Sequence, residues 1–163
     1  MKRWIALCLL ALTLFSLTAC RFQYMTPEEM HDFMDGLTQK LGQSQITEET
    51  DLIGNRCLNG DGFTGGYRAE CEGNTGRDVV FGGASIDRRC IQISGVVETV
   101  SGTAQIRIRM NDQTMVLDCD ADGNFQTVLS MDNGGNYIMV DYDQFVGRVE
   151  LDSAYVQTSE DGG

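Results

Sequence analysis

The sequence predicts an all-β protein, a two-sheet antiparallel β-sandwich, preceded by one N-terminal amphipathic helix. Three observations carry that prediction. From about Ile46 onward apolar residues recur with a period of two, as in Gln105-Ile106-Arg107-Ile108-Arg109-Met110, the pattern of strands buried on one face. The chain holds 19 glycines and one proline, Pro27, so no proline interrupts the region that reads as strands. Turn-forming clusters punctuate it at Ser101-Gly102, Asn111-Asp112, Asp120-Ala121-Asp122-Gly123 and Asp132-Asn133-Gly134-Gly135, and their spacing predicts roughly eight or nine strands.

Residues 1–19 come first and read as a secretory signal. Met1-Lys2-Arg3 is a basic start, Trp4 to Leu17 an almost unbroken apolar run, and Leu17-Thr18-Ala19-Cys20 places small residues before a cysteine. The run is short for a membrane span of roughly 20 residues. This order resembles the lipobox of bacterial lipoproteins, and the resemblance implies cleavage before Cys20, lipidation there by acyl chains such as palmitate, and a membrane-anchored place in the cell envelope facing outside the cytoplasm. Arg21 is not the aspartate that commonly signals inner-membrane retention, so in a cell with two membranes the resemblance points to the outer one. Removing Lys2 and Arg3 from 12 Lys+Arg leaves 10 against 24 Asp+Glu, a formal net charge of −14 for the mature chain. Such a surface repels nucleic acid and attracts cations or basic proteins.

Residues 20–45 are expected to hold the anchor, a short tether and the helix. Thr26-Pro27-Glu28-Glu29 is a helix start, with a hydroxyl N-cap, proline at N1 and glutamate at N3 completing a capping box. Met30, Phe33, Met34, Leu37 and Leu41 fall on one face and Gly42 marks a stop. Because Glu28, Glu29, Asp32 and Asp35 are acidic where interfacial helices are basic, the stripe is expected to pack on its own domain.

Residues 46–156 form the expected sandwich and 157–163 a polar, flexible tail. Within it Gly62-Phe63-Thr64-Gly65-Gly66-Tyr67, Gly135-Asn136-Tyr137-Ile138 and Val149 to Val156 resemble the early loop and closing strands of galactose-binding-like jelly rolls, among them many carbohydrate-binding modules. Asp118 to Phe125, following Ile93-Ser94-Gly95-Val96, resembles instead the acidic-turn hairpin of prealbumin-like sandwiches. Both are two-sheet β folds.

With Cys8 in the signal and Cys20 the anchor, Cys57, Cys71, Cys90 and Cys119 remain. An even number in an exported chain suggests two disulfide bonds; proximity favours Cys57 with Cys71, leaving Cys90 with Cys119. Zinc fails on spacing, since no C-x-x-C occurs and the only histidine is His31.

Asp118, Asp120, Asp122 and Asn124 match D-x-D-x-D-G followed by a fourth oxygen donor, so calcium is the one ion the sequence suggests; no other cofactor is implied. The twelfth loop position, where an EF-hand needs glutamate, is Leu129, so an ordinary acidic turn is the competing reading. For a sugar, Tyr137, with Tyr67, Tyr142 and Tyr155, is a possible platform and Asn136, Asp141 and Arg109 are polar partners; alternatively the tyrosines complete the core. Arg107 and Arg109 share one strand face and suit either a carboxylate ligand or ion pairs with Glu98 or Glu150. His31 and Asp35, one helical turn apart, fit half a metal site or a solvated helix face. No second histidine exists for a nucleophilic triad, and no carboxylate pair stands out.

These readings lead to a surface-anchored, non-catalytic binding module for a glycan or other envelope ligand, and not an enzyme. The alternatives are a protein-interaction lipoprotein, an inhibitor or assembly factor docking a basic partner, and a small hydrolase.

Overall fold

The structure is a computed structural model that describes residues 25–156. Helix α1 spans Pro27–Gln43 and is followed by six strands: β1 Asn55–Leu58, β2 Gly65–Ser85, β3 Arg89–Met110, β4 Gln113–Val116, β5 Asn124–Met131 and β6 Gly134–Tyr155. The capping box forms as expected, with the Thr26 amide donating to Glu29 Oε2 (2.8 Å) and the Glu29 amide to Thr26 Oγ1 (3.2 Å). Among the described residues no helix is long and apolar enough to cross a membrane. The signal, Cys20 and the tail lie outside the described residues.

The chain falls into two compact units divided at Gly36/Leu37, and all the strands belong to the second unit. β2, β3 and β6 run 21, 22 and 22 residues, far longer than ordinary strands of about five or six. Each bends near its middle and serves two sheets. In the first, residues 65–72 of β2 lie beside 146–153 of β6, which lie beside the start of β3, with β5 and β1 outermost. In the second, residues 76–85 of β2, 134–142 of β6, 101–110 of β3 and then β4 pair in that order. Setting β1 aside, these are two four-stranded antiparallel sheets in the wrapped order of a jelly roll. Counting each bent strand twice gives nine segments, within the eight or nine expected from turn spacing.

The bends explain the alternation. Tyr67, Ala69 and Cys71 are buried before the bend in β2, whereas Asp78 and Val80 are buried after it. The inward side therefore changes parity. β3 does the same between Val97 and Ile106, and β6 between Tyr142 and Phe145. Register irregularities sit at 72–76 and 99–103, and a bulge of this kind shifts the two-residue period by one. Ser101-Gly102 is thus not the expected hairpin turn but a bend inside β3. Gly102 has φ +71°, and a Cβ there would lie 2.1 Å from the Gln144 carbonyl oxygen, so only glycine fits where β3 and β6 bend together. The inner faces of both sheets meet in one core, including Phe81, Ile91, Ile93, Ile106, Ile138 and Leu151.

The segment after the helix closes an edge. Thr47 donates its amide to the Val79 carbonyl (3.1 Å) and accepts the Val79 amide on Oγ1 (2.8 Å), satisfying the outer side of β2 in the second sheet. Arg56 fixes it further, donating to Val79 O, Val80 O and Thr47 O and pairing with Glu49 (2.7 Å).

The cysteines differ from expectation: Cys57, Cys71, Cys90 and Cys119 are all free thiols. Cys57 lies opposite Gly66, five residues along β2 from Cys71, about 16 Å of strand. Cys119 lies beside Val97 and Thr99, at the far end of the β3 segment that begins near Cys90. Neither pair approaches the roughly 7 Å Cα limit of a disulfide. Proximity in sequence fails because extended strands carry near neighbours apart.

Candidate ligand-binding site

Arg109, two residues before the β3–β4 turn, faces outward from the second sheet opposite Tyr137 of β6. Its guanidinium carbon stands 4.4 Å from the centre of the Tyr137 ring, and Nη2 donates to Gln45 Oε1 at 2.5 Å. Tyr137 is 2% exposed; its hydroxyl donates to the Gly42 carbonyl (3.0 Å). Beside this stack lies a shallow depression of about 540 Å³, lined by Leu41, Gln45, Arg109, Asn111, Asp112 and Tyr137 together with Gly42, Ala84 and Gly135.

The depression owes its wall to two turns held together. Asn111, in the left-handed region at φ 55°, accepts the Gly135 amide on Oδ1 (3.0 Å) and donates from Nδ2 to Asn133 O (3.1 Å), while its own amide donates to Gly135 O (2.7 Å). Asparagine tolerates that conformation and completes the turn with its side chain. Asn136, next along β6, points inward and is 1% exposed, donating to Asp132 O at 2.8 Å. Asn136 Oδ1 and Arg109 Nε are buried without a protein partner.

The four sugar-binding candidates are therefore not gathered at one place. Arg109 and Tyr137 meet; Asn136 lies on the opposite face of its strand; Asp141 is four residues further along β6. Asp141 is clamped by Arg77 and Arg107 from the flanking strands. Burial pushes its carboxyl up, but hydrogen bonds and charge from the two arginines outweigh this and hold it below the usual range. Arg107 thus pairs with Asp141 and not with Glu98 or Glu150, both of which pair with Arg148. The tyrosine platform is also corrected. Tyr67 and Tyr142 are 1% and 3% exposed core residues, Tyr137 is 2% exposed beneath Arg109 on the outer face, and of the four only Tyr155 is substantially open, at 46%.

The acidic loop closes on itself. Asp120 Oδ1 accepts the amides of Asn124 (2.8 Å) and Asp122 (3.0 Å), and the Asn124 side chain leans on the same carboxylate. Donation from Asn124 is the main cause that holds Asp120 below the ordinary carboxylate range. Among the described residues no group of three His, Cys, Asp or Glu side chains converges as a metal site. Asp120 Oδ1 thus serves the backbone of its own turn, as in the acidic-turn reading.

Sequence reasoning missed a buried network. Asp78, 1% exposed, accepts the amides of Ile53 (2.9 Å) and Gly54 (3.2 Å) and the Tyr67 hydroxyl, which also lies 2.8 Å from the Tyr142 hydroxyl. It missed as well Arg89, stacked 4.9 Å from the Phe63 ring and donating to the Tyr155 hydroxyl (2.7 Å), which in turn donates to Asp61 (2.5 Å). These partners lie 11 to 94 residues apart in the chain, so no local motif announces them.

No family model matches the chain, and no curated protein matches it. Among solved structures, one similar chain is a carbohydrate-binding module from Cellvibrio mixtus lichenase 5A in complex with cellotriose, 7% identical, with 72% of this chain and 96% of that chain covered and a TM-score of 0.36. The jelly-roll architecture described above rests on the strand pairings and not on this likeness.

Proposed function

We propose that this protein is a cell-envelope lipoprotein, anchored through Cys20, whose sandwich is a non-catalytic binding module taking a carbohydrate in the depression beside Arg109. The observation that carries the reading is the mixed lining of that depression. Arg109 and Gln45 offer donors, Asp112 an acceptor, and Leu41, 71% exposed, an apolar wall. A sugar ring presents the same mixture, an apolar C–H face with hydroxyls at its edge. The volume falls in the range of about 300–1,000 Å³ usual for small-ligand sites. Stacking on Tyr137 preorganises Arg109, so little side-chain freedom remains to be lost on binding.

The test is a glycan array with the soluble Cys20→Ser protein, followed by calorimetry on the best ligand. Arg109→Met and Asp112→Ala are each expected to weaken binding at least tenfold, about 1.4 kcal/mol, with unchanged melting temperature for Asp112→Ala. Absence of any glycan ligand, or wild-type affinity in both variants, refutes the reading. Anchoring is checked separately: Cys20→Ala is expected to leave the protein unprocessed or released from membranes, and an acylated, membrane-bound mature chain in that variant refutes it.

A further inference from the structure

Among the described residues Arg109 is a cation without an anion. Carboxylates are plentiful in a chain of 24 Asp and Glu against 12 Lys and Arg, and Arg56, Arg68, Arg77, Arg88, Arg107 and Arg148 each pair with one. Arg109 is held instead by neutral groups, the Gln45 amide oxygen at 2.5 Å and the face of the Tyr137 ring. Of the five N–H donors that a guanidinium carries, the bond to Gln45 engages one. Nε is buried without a partner, whereas Nη1, equally unengaged, is not sealed from solvent. Two residues earlier on the same strand face the pattern differs, because Arg107 and Arg77 close on Asp141. That clamp shows what the arginines of this face do when a carboxylate is within reach. At Arg109 the chain supplies none, and the side chain lines the depression of about 540 Å³.

We infer that the ligand of this depression is an acidic sugar, a uronic-acid residue whose carboxylate pairs with Arg109. The inference deepens the carbohydrate-binding reading proposed above and rests on it. A half-buried cation without a counter-ion has lost hydration that only an anion replaces in full, and a hydrogen bond to an ionised acceptor is roughly twice as strong as one to a neutral hydroxyl. Stacking on Tyr137 and the bond to Gln45 hold the guanidinium in place before the ligand arrives. Asp112, exposed in the same lining, sets the ligand's direction. It accepts sugar hydroxyls and repels a carboxylate presented to its own end, so the acid group is turned toward Arg109. Non-specific attraction does not account for such binding, since a protein with twice as many acids as bases repels a polyanion overall. Recognition has to be local.

Galacturonate, glucuronate and mannuronate oligosaccharides are titrated calorimetrically into the soluble Cys20→Ser protein. Each is compared with its carboxyl-reduced form, which carries a hydroxymethyl group where the acid carries its carboxylate. The expected result is that at least one uronate binds and that its reduced form binds at least about tenfold more weakly. Arg109→Gln keeps a planar polar group and drops the charge; it is expected to bring the uronate down to the affinity of the reduced form, whose own affinity stays largely unchanged. Discrimination between the two forms is a readout that a merely structural role of Arg109 would not move, and in the wild-type protein it needs no variant. Equal affinities for a uronate and its reduced form overturn the inference and leave the carbohydrate module standing, as does a neutral glycan that binds when no uronate does. An Arg109→Gln protein that is folded by circular dichroism and still discriminates as the wild type does overturns it too. Absence of binding by any sugar, acidic or neutral, refutes the carbohydrate reading and the inference with it.

Discussion

Replacing Asp78 by alanine is expected to be among the most damaging single changes in the sandwich. The side chain is 1% exposed and receives three donors: two successive amides of the Ile53-Gly54 segment and the Tyr67 hydroxyl. A hydrogen bond to a charged group is worth about 1.5–3 kcal/mol net, and a donor left buried without a partner costs about 1–3 kcal/mol. Ile53 is half-buried and can recover some hydration, and the Tyr67 hydroxyl keeps the Tyr142 hydroxyl at 2.8 Å, whereas the Gly54 amide is left buried without its acceptor. Together these figures give a loss of about 4 kcal/mol for Asp78→Ala, a large part of the roughly 5–15 kcal/mol total stability of a domain. Tyr67→Phe removes one donor and is expected to cost about 1–2 kcal/mol. Because the two side chains share one bond, the double variant is expected to lose less than the sum of the singles by about 1 kcal/mol or more. The assay is urea unfolding of the soluble Cys20→Ser protein followed by circular dichroism. A single-variant loss under about 1 kcal/mol, or strict additivity of the pair, would refute the reasoning, because it would mean that the buried charge costs as much in desolvation as its three donors return.

The same network predicts an alkaline limit: burial raises the Tyr67 and Tyr142 hydroxyls well above their ordinary range, and a folded-state value above the unfolded one gives stability that is complete below about pH 10 and lost as pH rises beyond it. Tyrosinate absorbance from these two residues is expected to appear only together with loss of the folded circular dichroism signal, and full titration in a folded protein would contradict this. Thiol labelling of the native soluble protein is expected to proceed first at exposed Cys57 and last at Cys71, which is buried and whose thiol is pushed up by burial and by the Asp78 charge; mass spectrometry after alkylation checks it, and equal rates or two pre-existing disulfides would count against the structure described.

The class of fold was readable because a period of two and turn chemistry are local. Gln105–Met110, Phe125–Leu129 and Arg148–Asp152 all fall within strands, and three of the four turn clusters fall where strands end. The fourth, Ser101-Gly102, was misread because glycine in a strand bend and glycine in a hairpin obey the same backbone rule, and only the partner strand distinguishes them. The site was less readable for a different reason. Arg109 and Tyr137 are 28 positions apart, and their meeting depends on the β3–β6 register, which no short pattern encodes. Asp141 fell to two arginines because both of its flanking strands happen to present one.

The last turn of helix α1 shows how one small residue decides a contact. The apolar stripe was visible, and the usual expectation is that such a stripe faces the protein that carries it. Gly42 overrides that expectation at the helix's C-terminal end: its closeness to the Ala84 backbone, with Tyr137 donating to its carbonyl, commits the face carrying Gly42 to the sandwich. One buried glycine with backbone pressed against it fixes the rotation of that turn more firmly than a stripe of large side chains, since a Cβ collision with backbone has no rotamer through which to relax. A sequence shows Gly42 as a plausible helix stop and gives no sign that it is also the point of contact. A glycine at a helix end can therefore decide which side of the last turn meets the domain, independently of where the large apolar side chains of that helix fall.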